Sequence, residues 1–205
     1  MTSYSTMAVE DLLDAFASSE PVPGGGSASA LAGAMGVSLL VMVAGLPKTR
    51  TGAPEESADL SEASSRLRPL RETLTSLIDK DSEAYEAVLA AYRLPNGTDA
   101  EKAARRAAVE TAMRGATDVP LDTMRACQQA LRGAITVARN GNTSAATDTG
   151  VGIHLLLAGL RGAGLNVDVN TSSITDAAYV SRVKEEREEL EREGTADAEK
   201  ASSAP

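Results

Sequence analysis

Nineteen consecutive residues, Ala28 to Leu46, carry no charge, and the chain enters them through Pro21-Val22-Pro23-Gly24-Gly25-Gly26-Ser27. A stretch of this length forces a choice between a membrane-spanning helix and a helix buried at the centre of a protein. Ser29, Ser38, the small residues Ala30, Ala32, Gly33 and Ala34, and the lack of an aromatic belt speak against a span. Small side chains at Ser29, Gly33 and Gly36 let neighbouring backbones come close. The run therefore predicts a central, buried helix and no membrane.

Composition says what packs around that helix. The chain of 205 residues is 42% hydrophobic but only 2% aromatic, with no Trp and a single Phe, Phe16. A core of Ala, Leu, Val, Ile and Met favours helix on helix over a sheet. Small side chains bury little area each, so such a chain gains from packing against a copy of itself at ~25 cal/mol per Å². The net charge of −9 excludes a nucleic-acid partner, which needs a clustered basic surface. Cys127 stands alone and cannot form an intrachain disulfide. Residues 1–7 are polar and uncharged, unlike a signal peptide, which places the chain in the cytoplasm.

Local signals divide the chain into about seven helices, an all-α bundle around the buried Ala/Gly-rich ones. Val9, Leu12, Leu13 and Phe16 recur at helical spacing, and Pro21 to Gly26 ends that helix. Pro54-Glu55-Glu56 starts a long amphipathic helix through Leu60, Leu67, Leu74 and on to Tyr92, which Pro69 should kink or break. Thr98 and Glu101 form a capping box, and the helix they open should kink near Pro120 into another. Asn140 to Ser144 reads as a loop, and Asp148 leads a second glycine-rich apolar helix to about Leu165. Asn166 to Asn170 reads as an ordered linker. A last helix, capped by Ser173 to Asp176, stops at Gly194. The domain is thus 1–194, with a disordered tail at 195–205.

Two features rise above this background. Pro23, Gly24, Gly25, Gly26 and Ser27 lie directly before the buried helix, where unpaired N–H groups and a Ser27 cap suit a carboxylate or a polarised carbonyl. The rival reading is a tight connection. Asn142 to Gly152 delivers Asp148 to the start of the other glycine-rich helix, where Thr147 or Asp148 serving as a simple cap is equally open. If the two helix starts meet, a cleft forms between them.

The Pro-x-Pro-Gly-Gly-Gly-Ser run followed by an Ala/Gly-rich helix resembles the cyclodeaminase/cyclohydrolase family of folate one-carbon enzymes. The likeness extends in order to Asp81-Ser82-Glu83-Ala84-Tyr85, Tyr92-Arg93-Leu94-Pro95, Val119-Pro120-Leu121, Asp148-x-Gly150-Val151 and Leu165 to Asn170. It implies a formiminotransferase-cyclodeaminase-like helical fold, a homodimer or larger assembly, and no metal or bound cofactor. The implied substrate is a tetrahydrofolate derivative. Either 5-formiminotetrahydrofolate is closed with loss of ammonia, or 5,10-methenyltetrahydrofolate is opened by water.

Both reactions pass through a tetrahedral carbon between N5 and N10, so they ask for a carboxylate beside the cation, a proton carrier and hydrogen bonds for the pterin. The resemblance points first to Asp148 as that carboxylate and second to Asp81, whose rival reading is a solvated helix face. Asn142, Asn166 and Asn170 are candidates for pterin or benzamide contacts, and Lys48 and Arg50 for the glutamate tail. The family's Asn-Leu-Thr-like end to the buried helix is replaced here by Gly45-Leu46-Pro47-Lys48-Thr49-Arg50, and its Asn-Pro-Asn-type loop by Asn142-Thr143-Ser144. His154, the single histidine, falls where the family carries an apolar residue and reads as a packed or interface residue. A non-catalytic folate-binding or scaffold homologue is the alternative from another functional class.

Overall fold

The computed structural model describes residues 3–204. Six α-helices make up the fold: α1 (Val9–Ala17), α2 (Gly25–Ala44), α3 (Pro54–Tyr92), α4 (Asp99–Asn140), α5 (Ala146–Thr171) and α6 (Ala177–Ser202). Short 3-10 turns precede α1 and α5 at Tyr4–Thr6 and Thr143–Ala145, and no strand occurs among the described residues. The expected seven helices become six because the two expected on either side of Pro120 form one continuous helix. Pro69 lies within α3 and Pro120 within α4. A mid-helix proline costs about 3 kcal/mol locally. The fully buried flanks Leu67 and Leu74 on α3, and Leu121 and Met124 on α4, hold the two helices together across these points.

α2 is the central helix. It packs on α3, α4 and α5, while α6 covers the outer side of α4 and α5. By length and composition, α2 and the stretch Thr143–Thr171 could each cross a membrane, but 56% of the α2 window is buried among the other helices. The contact between α2 and α5 is backbone to backbone. A Cβ on Gly36 would stand 2.7 Å from the Gly152 carbonyl oxygen, and one on Gly159 2.7 Å from that of Ser29. These glycines let two apolar helices touch without intervening side chains. Their pairing also sets direction: Gly25 lies beside Asn166, Ser29 beside Gly162, and Gly36 beside Gly152. α2 and α5 therefore run antiparallel.

Several local expectations hold as read. Pro54 occupies the first turn of α3, Thr98 and Glu101 form the capping box of α4, and Asp176 caps α6 through the Ala178 and Tyr179 N–H groups. Three segments differ. Asn166 to Asn170 is not a linker but the last turns of α5, because Val167 is fully buried and carries the apolar stripe onward. Asn142 accepts from the Ser144 N–H and caps a 3-10 turn instead of lying in an open loop. The tail is helical, not disordered: α6 passes through Gly194 to Ser202, burying Asp197, Ala198 and Ala201. Asp197 faces Gln128 at 3.3 Å and Arg132 at 3.5 Å, which anchors it to α4. The expectations for Met1, Thr2 and Pro205 lie outside the described residues. α1 forms as expected, yet only Leu12 is buried, leaving Val9 and Leu13 outward.

Candidate functional site

The glycine run starts α2 with Gly24 at the N-cap position and no side-chain cap on that turn from within the run. Ser27 is not the cap. It sits inside the first turn, fully buried, and its hydroxyl donates to the Ile78 carbonyl at 2.8 Å and lies 3.2 Å from the Ser82 hydroxyl. The cap comes from another helix. Asp81 on α3 accepts the Ser27 N–H at 2.9 Å and the Ser27 hydroxyl at 3.2 Å, both on Oδ2. A carboxylate there satisfies an orphan N–H and meets the positive end of α2.

Gly26 explains how the carboxylate gets so close. A Cβ at this position would lie 2.0 Å from Asp81 Oδ1. Oδ1 itself takes no hydrogen bond among the described residues. Burial pushes the Asp81 carboxyl above its ordinary value, while the two Ser27 bonds and the α2 terminus pull the other way. The result is a half-buried carboxyl with one bonded and one free oxygen. Beside it stands Asn166, whose amide nitrogen would be 3.6 Å from a Cβ on Gly25 and donates to the Gly162 carbonyl at 2.9 Å. Tyr4 reaches the loop from the other side, its hydroxyl donating to the Val22 carbonyl at 3.3 Å. Asn170 is spent differently, donating to the Ala116 carbonyl at 2.7 Å and so tying α5 to α4.

The remaining candidates lie at the far end. Asp148 is in the first turn of α5, eighteen residues before Asn166. At 1.5 Å per residue the two are about 27 Å apart along α5. The antiparallel pairing thus rules out a cleft in one protomer between the starts of α2 and α5. Arg50 joins the Asp148 end, its N–H donating to the Asn140 carbonyl at 2.9 Å and its side chain to that of Ala138 at 3.1 Å. Lys48 is exposed near it. A cavity of about 330 Å³ there is lined by Arg50, Asn142, Gly150 and His154 together with Ala201 and Ala204 of the C-terminal segment. His154 itself is exposed on the outer face of α5. Asp148 is half-buried and makes no ion pair or hydrogen bond through its side chain among the described residues. No three His, Cys, Asp or Glu side chains among the described residues group as metal ligands.

One feature escaped sequence reasoning. A groove of about 590 Å³ at the Asp81 end is lined by Tyr92, Asn96, Lys102, Arg105, Arg106, Glu110, Ser173 and Thr175 among others. Its signal was three cations at i, i+3 and i+4 in an acidic chain.

Known proteins match this arrangement closely. A methenyltetrahydrofolate cyclohydrolase from Methylorubrum extorquens is 45% identical over 178 residues, covering 86% of each chain. The formimidoyltransferase-cyclodeaminase of Sus scrofa is 32% identical across 86% of this chain, which spans only 32% of that longer protein. The crystal structure of formiminotetrahydrofolate cyclodeaminase from Thermotoga maritima superposes with a TM-score of 0.85, at 26% identity, covering 96% of this chain and 94% of that one. The family model described as formiminotransferase-cyclodeaminase matches residues 8–189. With the fold and nearly the whole length in agreement, the chain belongs to the formiminotransferase-cyclodeaminase family.

Proposed function

We propose that the protein is a folate one-carbon enzyme that hydrolyses 5,10-methenyltetrahydrofolate to the 10-formyl form. The observation that carries the hydrolytic reading over the deaminating one is the match to the Methylorubrum cyclohydrolase across 86% of both chains. The deaminating relatives from animals are more distant and embed their matching part in a longer protein.

Chemically, water adds to the carbon between N5 and N10 and loses a proton. The C–N5 bond then breaks as the new hydroxyl gives up its proton to become the formyl carbonyl and N5 takes a proton up, so that one proton is released overall. Asp81 is our first choice for the proton carrier, reversing the order that the resemblance suggested. Its free Oδ1, its raised proton affinity and its place beside Gly25 and Asn166 support that role. The negative form also stabilises the delocalised cation of the methenyl substrate. Asp148 is the second carboxylate, 27 Å or so away within one chain by the helix rise.

A homodimer or larger assembly reconciles the two. An apolar outer face runs along α2 and α5, with Met35 50%, Val151 50%, Leu165 66% and Val169 69% exposed. Pairing this face about a two-fold axis perpendicular to the helices brings the Asp148 end of one copy to the Asp81 end of the other. His154 then falls at the interface. We read the chain as cytoplasmic, with α2 as a core helix and the folate as its only small-molecule partner, and with no bound cofactor.

The test is the absorbance of methenyltetrahydrofolate over time at a pH where spontaneous opening is slow. Accelerated loss of the methenyl band, reduced at least a hundredfold in Asp81→Asn, supports the reaction and the residue. Absence of acceleration, with formiminotetrahydrofolate also unchanged, would put the non-catalytic scaffold reading first.

A further inference from the structure

Two carboxylates on α3 each hold another part of the chain. Asp81 takes the first turn of α2, and Asp79, two positions earlier, takes the N-terminal 3-10 turn. At about 100° per residue they lie about 200° apart around α3, so the chain grips this helix from both sides. Asp79 Oδ1 accepts the N–H groups of Tyr4 at 2.6 Å and Ser5 at 3.1 Å. Its Oδ2 accepts the hydroxyls of Ser5 at 2.6 Å and Ser3 at 3.0 Å. Burial acts to raise this carboxyl, but the Ser5 hydroxyl and the other donors outweigh it and hold the group below its ordinary value, the opposite of Asp81. Asp79 therefore stays ionised at any pH where Asp81 titrates, and the turn stays fastened.

Tyr4 extends this grip to the glycine run. Half-buried against the core, it donates its hydroxyl to the Val22 carbonyl at 3.3 Å. Val22 leads into Pro23, which is buried, and Gly24, whose carbonyl accepts the Ala28 N–H at 3.0 Å at the start of α2. Between the turn and this loop, α1 buries only Leu12 and leaves Val9 74% and Leu13 60% exposed. The stretch is thus held at its ends more than along its length. The turn lies ahead of residue 8, where the match to the family begins.

We infer that Tyr4 is a positioning residue for the reaction at Asp81: it ties the loop before α2 to the turn fastened on Asp79, and so fixes Gly24 to Gly26 against the free Asp81 Oδ1. The inference rests on the proposed methenyl hydrolysis and deepens it. Tyr4 and Asp79 move no proton in it; they hold the backbone that flanks the reacting carboxylate.

The test is a double-mutant cycle on methenyltetrahydrofolate turnover. Tyr4→Phe keeps the ring and removes only the bond to Val22; it lowers kcat roughly fivefold and leaves KM within about twofold. Asp79→Ala frees the turn and lowers kcat by about tenfold or more. In that background Tyr4→Phe costs less than about twofold further, because the tie it cuts no longer leads to α3. Asp79→Asn, which keeps an acceptor for the Tyr4 and Ser5 N–H groups, restores most of the rate. Circular dichroism and thermal melts establish that every variant is folded. An unchanged kcat in Tyr4→Phe, a change confined to KM, or losses that simply multiply in the double variant would overturn the inference and leave the reaction standing. In parallel, hydrogen exchange is followed at the Ala28 amide, which bonds to Gly24. It should quicken several-fold in Tyr4→Phe, and equal exchange in the two proteins would refute the tie. A wild type that leaves methenyltetrahydrofolate untouched would sink the reaction instead, and the exchange result would still decide whether Tyr4 holds the loop.

Discussion

Replacing Gly26 by Ala adds one carbon atom and reaches the proposed chemistry directly. The new Cβ would stand 2.0 Å from Asp81 Oδ1 and 2.5 Å from its Cγ. Ordinary contact between such atoms is about 3.5 Å, so the carboxylate must withdraw by about 1.5 Å. An aspartate side chain can swing that far, and the helices need not part. The withdrawal breaks its 2.9 Å bond from the Ser27 N–H. A bond to a charged group is worth about 1.5–3 kcal/mol, against a gain of up to about 1 kcal/mol for Ala over Gly in a helix. The net is a loss of about 1–2 kcal/mol, or a melting temperature lower by roughly 2–8 °C for a chain of this size. The effect on turnover is larger, because misplacing a reacting group by an ångström costs about a hundredfold. Initial rates of methenyl loss and a thermal melt on the same preparation measure both. In an Asp81→Ala background the Gly26→Ala change should cost almost nothing more in rate. A folded Gly26→Ala protein keeping over half its turnover would refute the placement of Asp81 in the reaction.

Three further outcomes follow from the same geometry. Because burial raises the Asp81 carboxyl above 3.8, the folded state holds its proton more tightly than the unfolded chain. Stability therefore falls as pH rises from 3.8 through the raised value, and urea midpoints should show that this fall is absent in Asp81→Asn. The acidic limb of kcat/KM should likewise lie above 3.8 in the wild type. Deleting residues 195–205 removes the buried Asp197, Ala198 and Ala201, which should cost about 2–4 kcal/mol; an unchanged melting temperature would mean that the end of α6 contributes nothing. If two copies share each site, mixing inactive Asp81→Asn and Asp148→Asn proteins after mild dissociation should recover about a quarter of wild-type activity, since half the dimers are mixed and each holds one intact site. Recovery of none would place both carboxylates' work within one chain.

Much of this protein was legible residue by residue. Pro54, the Thr98–Glu101 box and Asp176 mark helix starts because capping is settled within a turn of chain. The charge-poor, small-residue runs of α2 and α5 announced helices meant to be buried, and the ordered motifs named the family. What local sequence could not decide was set by packing. Pro69 and Pro120 read as kinks or breaks, yet each lies within one helix, because the apolar faces on either side of each bury together and outweigh one missing hydrogen bond. Gly194 read as a stop, but Asp197 finds Gln128 on α4 and Ala198 is buried, which no helix signal reveals. Most decisive was direction. Two glycine-rich helices can pack parallel or antiparallel with the same composition, and only the fit of Gly36 on Gly152 and Gly159 on Ser29 selects antiparallel. That choice separated Asp148 from the glycine run and handed the α2 terminus to Asp81, a residue 54 positions from the Ser27 amide it caps. Caps and periodicity are short-range and written in neighbouring residues; which helix end a carboxylate meets depends on the docking of whole faces, which only the folded chain supplies.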